Sequence, residues 1–129
     1  MLNQKPNVAV ICGGDSSEFV ISVKSGQNVY EAIDRERFIP WLVQMKGKEW
    51  LVVENGSTIG FANKSDFSLH IGNDIHPVDF AYITIHGTPG EDGILQGYFD
   101  LLKIPYSTGS VSSSALTFNK WHCNNFLRN

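Results

Sequence analysis

The chain has 129 residues, 42% hydrophobic and 18% charged, a balance that suits one globular domain with a buried core. Its 10 Lys and Arg are scattered and outnumbered by 13 Asp and Glu, for a net charge of -3, so it lacks the clustered basic charge that nucleic acid or an anionic membrane surface rewards. The polar start and the short first apolar run fit neither a signal-peptide core nor a membrane span, so the expectation is a cytoplasmic protein that binds no nucleic acid and no membrane.

Val8-Ala9-Val10-Ile11-Cys12 is continuous, apolar and partly β-branched, which predicts a strand buried on both faces, as in a parallel sheet. It ends at Gly13-Gly14. From Val20 to Ile33, the residues Val23, Gly26, Tyr30 and Ile33 share one helical face, with Lys24, Gln27, Asn28, Glu31 and Asp34 elsewhere. Gly26 costs helix propensity, so its place on that face points to close packing of helix on sheet. Phe38 to Met45 predicts a second strand, with Pro40 at its beginning or on an edge, and completes a β-α-β unit.

Between Gly47 and Pro77 the pattern changes. Trp50-Leu51-Val52-Val53, then Asn55-Gly56, then Thr58-Ile59-Gly60-Phe61 signals a hairpin with a tight turn. Phe67, Leu69 and Ile71 alternate with polar residues and predict a further half-exposed strand. The segment reads as an antiparallel elaboration on the sheet edge. Phe80 to Ile85 predicts the next strand, followed by a glycine-rich loop from Gly87 to Gly93, after which Ile94, Leu95, Tyr98 and Leu102 fall on one helical face. A short Ile104-Pro105-Tyr106 segment and a Ser/Gly loop lead to a last helix from about Ser114. No Gly or Pro follows Phe126-Leu127-Arg128-Asn129, so the natural chain is expected to continue.

Two buried strands thus end in polar, glycine-bearing loops: Gly13-Gly14-Asp15-Ser16-Ser17-Glu18 and His86-Gly87-Thr88-Pro89-Gly90-Glu91-Asp92-Gly93. In an open parallel sheet such loops line the ligand crevice, which would let Glu18 and His86 meet. The first loop lacks the third glycine of a dinucleotide fingerprint and the Gly-Lys-Ser/Thr ending of a P-loop. A carboxylate at a helix start stays ionised and suits an ammonium group. Asp15-x-x-Glu18 also has the form of a capping box, and chemistry alone places that role of Glu18 first. For His86, ligand contact and pinning of its own loop stand level. Glu91 and Asp92 are explained by capping, and Gly87, Gly90 and Gly93 by loop geometry. His70, His76 and His122 lack metal-ligand spacing, Cys12 and Cys123 are expected to be reduced and apolar in role, and Ser112 to Ser114 lack a nucleophile elbow.

Taken together, three blocks resemble the D-alanine–D-alanine ligases of the ATP-grasp superfamily. They are Gly13-Gly14-x-Ser16-x-Glu18 with Ile21-Ser22 and Ser25-Gly26, His86-Gly87-x-x-Gly90-Glu91-Asp92-Gly93 with Gln96-Gly97, and Pro105-Tyr106 with Ser114-Ala115-Leu116 and Lys120. They stand in the family's order, while residues 47–77 match only in general character. The resemblance implies a three-layer, Rossmann-like (pre-ATP-grasp) α/β domain with a mostly parallel sheet and a β-hairpin elaboration. Residues 1–115 would form this amino-terminal domain and 116–129 the start of the connection to an absent ATP-grasp domain.

In function the resemblance implies formation of D-alanyl-D-alanine from two D-alanines for peptidoglycan synthesis, with ATP hydrolysed to ADP and phosphate. The first carboxylate is phosphorylated and the second amine attacks it. By motif, Glu18 resembles the carboxylate that holds the ammonium group of the first D-alanine, and His86 the histidine beside that substrate. Ser16 and Gly14 belong to the same substrate loop. Lys120 resembles a lysine that reaches the ATP side, although it stands in Thr117-Phe118-Asn119-Lys120 where many relatives carry Met-Asp-Lys. A buried ammonium needs a paired carboxylate, so the resemblance moves ligand binding ahead of capping for Glu18. ATP with Mg2+ (or Mn2+) and a homodimer are implied for the full-length enzyme. The isolated chain, lacking the ATP clamp, is expected to be inactive and to hold no cofactor tightly. A free-standing α/β small-ligand module and a dimerisation domain are the competing readings.

Overall fold

The computed structural model describes residues 5–15, 17, 19–85 and 93–107. The first apolar run forms β1 (Asn7–Gly13), buried along its whole length. Its side chains alternate between two cores. Ala9 and Ile11 face one, and Val8, Val10 and Cys12 face the other. Such a strand needs cover on both sides, and two helices provide it. Helix α1 (Phe19–Ala32) carries Val29 into the core beside Cys12, with Ile33 just past its end. Helix α2 (Ile94–Leu102) carries Leu95 and Phe99 into the core beside Ile11. The expected α/β class holds, with the two helices on opposite faces of β1.

The close helix-sheet packing expected at Gly26 is present: a Cβ there would lie 2.6 Å from Cβ of Cys12 and 3.1 Å from Oγ1 of Thr84. The buried stripe of α1 is Ser22, Gly26 and Val29, with Val23 and Tyr30 at its margin. On α2, Ile94 does not face the core as expected: it is 58% exposed, and Phe99 takes the inner position.

The remaining strands are β2 (Ile39–Lys46), β3 (Glu49–Glu54), β4 (Ser57–Ala62), β5 (Leu69–Ile71), β6 (Asp74–His76), β7 (Phe80–Ile83) and β8 (Tyr106–Ser107). They form one sheet in the order β6-β5-β4-β3-β2-β1-β7-β8. The expectation of a mostly parallel, Rossmann-like sheet is corrected here. Pairing is parallel among β2, β1, β7 and β8 but antiparallel from β2 out to β6. The cause is connection length. Gly47-Lys48, Asn55-Gly56 and Gly72-Asn73 each leave two residues between strands, enough to reverse the chain, whereas a parallel return needs about a dozen or more. Positive φ at Asn55 (52°) and Gly56 (80°) is the backbone of the expected tight turn.

Two details of this half differ from expectation. Strand β6, three residues long, is too short to show a period of two. Phe67, expected in a strand, adopts φ 55° in a turn closed by its N–H on the Asn63 carbonyl at 2.7 Å. Its ring is fully buried, edge-on to Trp50, Tyr98 and Phe99. The antiparallel half also curls. Trp41 of β2 and His76 of β6 have ring centroids 4.6 Å apart, whereas four flat strand spacings would separate them by about 19 Å.

Pro40 sits at the beginning of β2, as expected, without breaking a rung. Ile39 donates to the Pro6 carbonyl at 2.9 Å, and the ladder with β3 begins only at Leu42 and Val53. At this amino-terminal edge Asn7 donates through Nδ2 to the Pro77 carbonyl at 2.8 Å and accepts from Trp41 Nε1 at 3.1 Å, joining β1, β2 and the approach to β7.

Gly26→Ala separates propensity from packing. In an open helix it would stabilise by about 1 kcal/mol; here the Cβ overlap is expected to cost more, for a net loss of roughly 1–2 kcal/mol. Urea unfolding at unchanged m-value measures it, and a raised midpoint would disprove the tight contact.

Candidate functional site

The carboxyl ends of β1 and β7 lie side by side at the point where strand order reverses. From β1 the chain passes through α1 to β2 on one side, while β7 pairs on the other. In open α/β sheets a ligand crevice lies outside the carboxyl ends of the strands at such a switch point. The two glycine-bearing loops start there.

Gly13 and Gly14 end β1 with φ of 96° and 100°, a left-handed backbone that glycine adopts without strain. Any side chain at Gly13 would also collide with the Met45 carbonyl. Gly14 donates its N–H to that same carbonyl at 2.7 Å, so this amide is committed to β2. Asp15 accepts from the Gly47 N–H through Oδ1 at 3.2 Å. The loop is thus tied to β2 before the chain turns into α1.

On the other side of β1, the last backbone rung runs from Thr84 N–H to the Ile11 carbonyl at 2.8 Å, and Thr84 Oγ1 donates to the same oxygen at 2.8 Å. An uninterrupted parallel ladder would next join Gly13 N–H to the Thr84 carbonyl. Instead Gly13 N–H donates to Ser22 Oγ at 3.0 Å, and Ser22 Oγ donates to the Thr84 carbonyl at 3.0 Å. A hydroxyl can accept and donate at once, so one fully buried serine stands in for the missing rung.

Sequence reasoning assigned no role to Thr84, nor to Ser22 beyond its place in the first family block. The available sign was a serine four residues before Gly26, on the buried stripe of α1. Of the candidate residues, Gly14 is described as above. Ser16, Glu18, His86 and Lys120 lie outside the described residues, as do Cys123, His122 and the final helix. The chain order nevertheless puts Glu18 directly before α1 and His86 directly after buried Ile85.

The core beneath these strand ends is apolar. Cys12 is fully buried, and burial pushes its thiol up to about 12, so it is held neutral and serves as packing under Gly26. Lys46, at the carboxyl end of β2, places its Nζ 5.8 Å from the ring centre of Phe19 at the start of α1. Among the described residues no three His, Cys, Asp or Glu side chains converge as a metal-ligand set. No described helix is long and apolar enough to cross a membrane.

The chain is similar in sequence and fold to known proteins. The family model described as D-ala D-ala ligase N-terminus matches residues 7–110. A D-alanine–D-alanine ligase of Phocaeicola vulgatus is 51% identical over 124 residues, 96% of this chain and 38% of that protein. Among solved structures, D-alanyl-alanine synthetase A of Vibrio cholerae aligns with TM-score 0.66 at 32% identity, over 95% of this chain and 36% of that one. D-alanine–D-alanine ligase of Bacillus anthracis, complexed with ATP, aligns with TM-score 0.53 at 28% identity, over 79% and 29%. The chain therefore spans a little over a third of the length of the curated relatives it matches.

The buried thiol predicts a pH dependence. Its folded pKa is raised above the ordinary 9.0, so its contribution is intact below pH 9.0 and is lost as pH rises towards about 12. Over that window stability should fall by on the order of 1 kcal/mol per pH unit more in the natural chain than in Cys12→Ala. Urea unfolding of both between pH 8 and 10.5 checks this (roughly the range where an unfolded thiol ionises); parallel curves would refute it.

Proposed function

The chain belongs to the family of D-alanine–D-alanine ligase amino-terminal domains, and on that premise we propose that it supplies one wall of the first D-alanine site in such a ligase. The observation that carries the reading is the joining of β1 and β7 at the switch point, where Ser22 ties Gly13 to Thr84 and the two glycine-bearing loops begin together. In this reading Glu18, directly before α1, pairs with the substrate ammonium, and the exposed amides at the helix start keep the carboxylate charged. His86, following buried Ile85, lies beside the same substrate. Ser16 and Gly14 shape the loop between them.

The domain's part in the reaction is positioning. Holding a small amino acid with its carboxylate presented to a phosphoryl donor removes much of the entropic barrier to the transfer. ATP is the donor in this family, and it supplies the phosphate that makes the carboxylate reactive. Among the described residues no three His, Cys, Asp or Glu side chains converge as a metal-ligand set, and the first loop has no Gly-Lys-Ser/Thr ending, so no phosphoryl-transfer step is assigned to them. Lys120 would approach ATP from residues 116–129, the start of the connection to the catalytic part, with residues 1–115 as the substrate domain. For the whole protein the reading extends to Mg2+ (or Mn2+), D-alanyl-D-alanine as product, a homodimer and a cytoplasmic location.

Two measurements test this. D-alanine titrated into the 15N-labelled chain should shift amides around Glu18 and His86, and Glu18→Ala should abolish those shifts; shifts confined to other surfaces would sink the mapping. The purified chain alone should release no phosphate from ATP in the presence of D-alanine. Turnover by the isolated chain would overturn the division of labour proposed for it.

A further inference from the structure

Resting on that reading, we propose that Ser22 is the positioning residue that sets the opening of the D-alanine crevice by replacing a sheet rung with its side chain. Backbone rungs join β1 to β7 as far as Thr84 N–H and the Ile11 carbonyl. One step further, Gly13 N–H and the Thr84 carbonyl are the natural next pair of a parallel ladder. Both instead bond to Ser22 Oγ, each at 3.0 Å. A direct rung is one bond of about 2.9 Å; the inserted oxygen makes two. The strands are therefore held further apart at their carboxyl ends than along their length, while remaining joined.

The hydroxyl does this from a position where serine ordinarily bonds to its own helix or to water. It is fully buried on α1, and its acceptor and donor bonds are both used across elements. In such a chain each bond polarises the next, which fixes the geometry more firmly than two separate contacts would. Its partners are the strand-end residues from which the two loops depart. A change at Ser22 thus acts at the root of both loops, Gly13 on one side and Thr84 on the other. Ser22 itself touches no substrate; it acts through the spacing and orientation of the two loops.

The test compares four forms of the chain by NMR titration with D-alanine, following the amides of Gly14 and Ile85 as reporters for the two loops. Ser22→Ala removes the hydroxyl and is expected to weaken binding about tenfold at both reporters, equivalent to about one neutral hydrogen bond. Ser22→Thr keeps a hydroxyl and is expected to restore affinity to within about threefold. Val29→Ala alters the same buried face of α1 without touching either loop and should leave affinity unchanged. Natural affinity in Ser22→Ala would overturn the proposal. So would an equal loss in Val29→Ala, which would reduce Ser22 to a contribution to stability. A natural chain that shifts at neither reporter would instead strike the functional reading itself, visible before any variant is made. Should Ser22→Thr fail to fold, the contrast between Ser22→Ala and Val29→Ala still decides.

Discussion

Where a parallel ladder would place a hydrogen bond from Gly13 N–H to the Thr84 carbonyl, this fold places the hydroxyl of Ser22. Neither backbone group has another bond partner in the β1–β7 ladder, whose register ends at Ile11 and Ile83. Leaving each group unsatisfied would cost about 1–3 kcal/mol. The serine meets both demands and so stabilises a separation that the backbone alone would close. The carboxyl edge depends on that separation, because Gly13 and Thr84 stand at the ends of β1 and β7 where the two loops begin. On the other flank of β1, Gly14 and Asp15 are held by the Met45 carbonyl and the Gly47 N–H. The first loop thus leaves a base fixed on both sides.

The second loop has equally fixed ends. Ile85 is buried at its start, and α2 is held at its other end by an aromatic cluster in which Trp50, Phe67, Tyr98 and Phe99 meet edge to face. Tyr98 also donates its hydroxyl to the Lys64 carbonyl at 2.6 Å. Burial, with the nearby Asp66 charge adding to it, raises that phenol to about 12 and keeps it a neutral donor. The antiparallel half of the sheet thus has a purpose beyond covering an edge. By curling until His76 meets Trp41, it wraps the core that anchors α2, the helix that follows the second loop in the chain.

Much of this architecture is legible in the sequence because local and tertiary demands agree. Val8 to Cys12 is apolar at every position and is buried at every position; Asn55-Gly56 has the chemistry of a tight hairpin turn and forms one. Legibility fails where tertiary packing overrides local pattern. Phe67 continues the alternation of Leu69 and Ile71, yet core space draws it into a left-handed turn. Ile94 fits the apolar stripe of α2, but one position along a helix is a rotation of about 100°, enough to put Phe99 inside and Ile94 out. The parallel bias of β1 does not extend to the whole sheet, because the two-residue connections after β2, β3 and β5 forbid it. At the candidate site the glycine-bearing strand ends are readable as loop chemistry. Ser22 is not, because a serine inside a helix announces no partner; its role exists only once α1 is laid against β1 and β7.

That laying-down is itself controlled by Gly26, one turn beyond Ser22 on the same stripe. Serine has one of the shortest polar side chains, so its hydroxyl reaches a sheet rung only when the helix backbone comes unusually near. Gly26 permits this: with no Cβ, it rests against Cys12, where any side chain would overlap the strand. The same absence leaves room for Thr84, whose Oγ1 is spent on the Ile11 carbonyl and not on α1. The two residues form a single device. Glycine brings the helix to the sheet, and serine uses that proximity to enter the ladder. An alternative built on a longer polar side chain at position 22 would reach from a more distant helix, but it would add rotamers and lose the fixed spacing that a short side chain imposes. The spacing of the β1 and β7 ends is therefore encoded in a helix–sheet contact at Gly26, one turn away from the residue that carries it into the ladder.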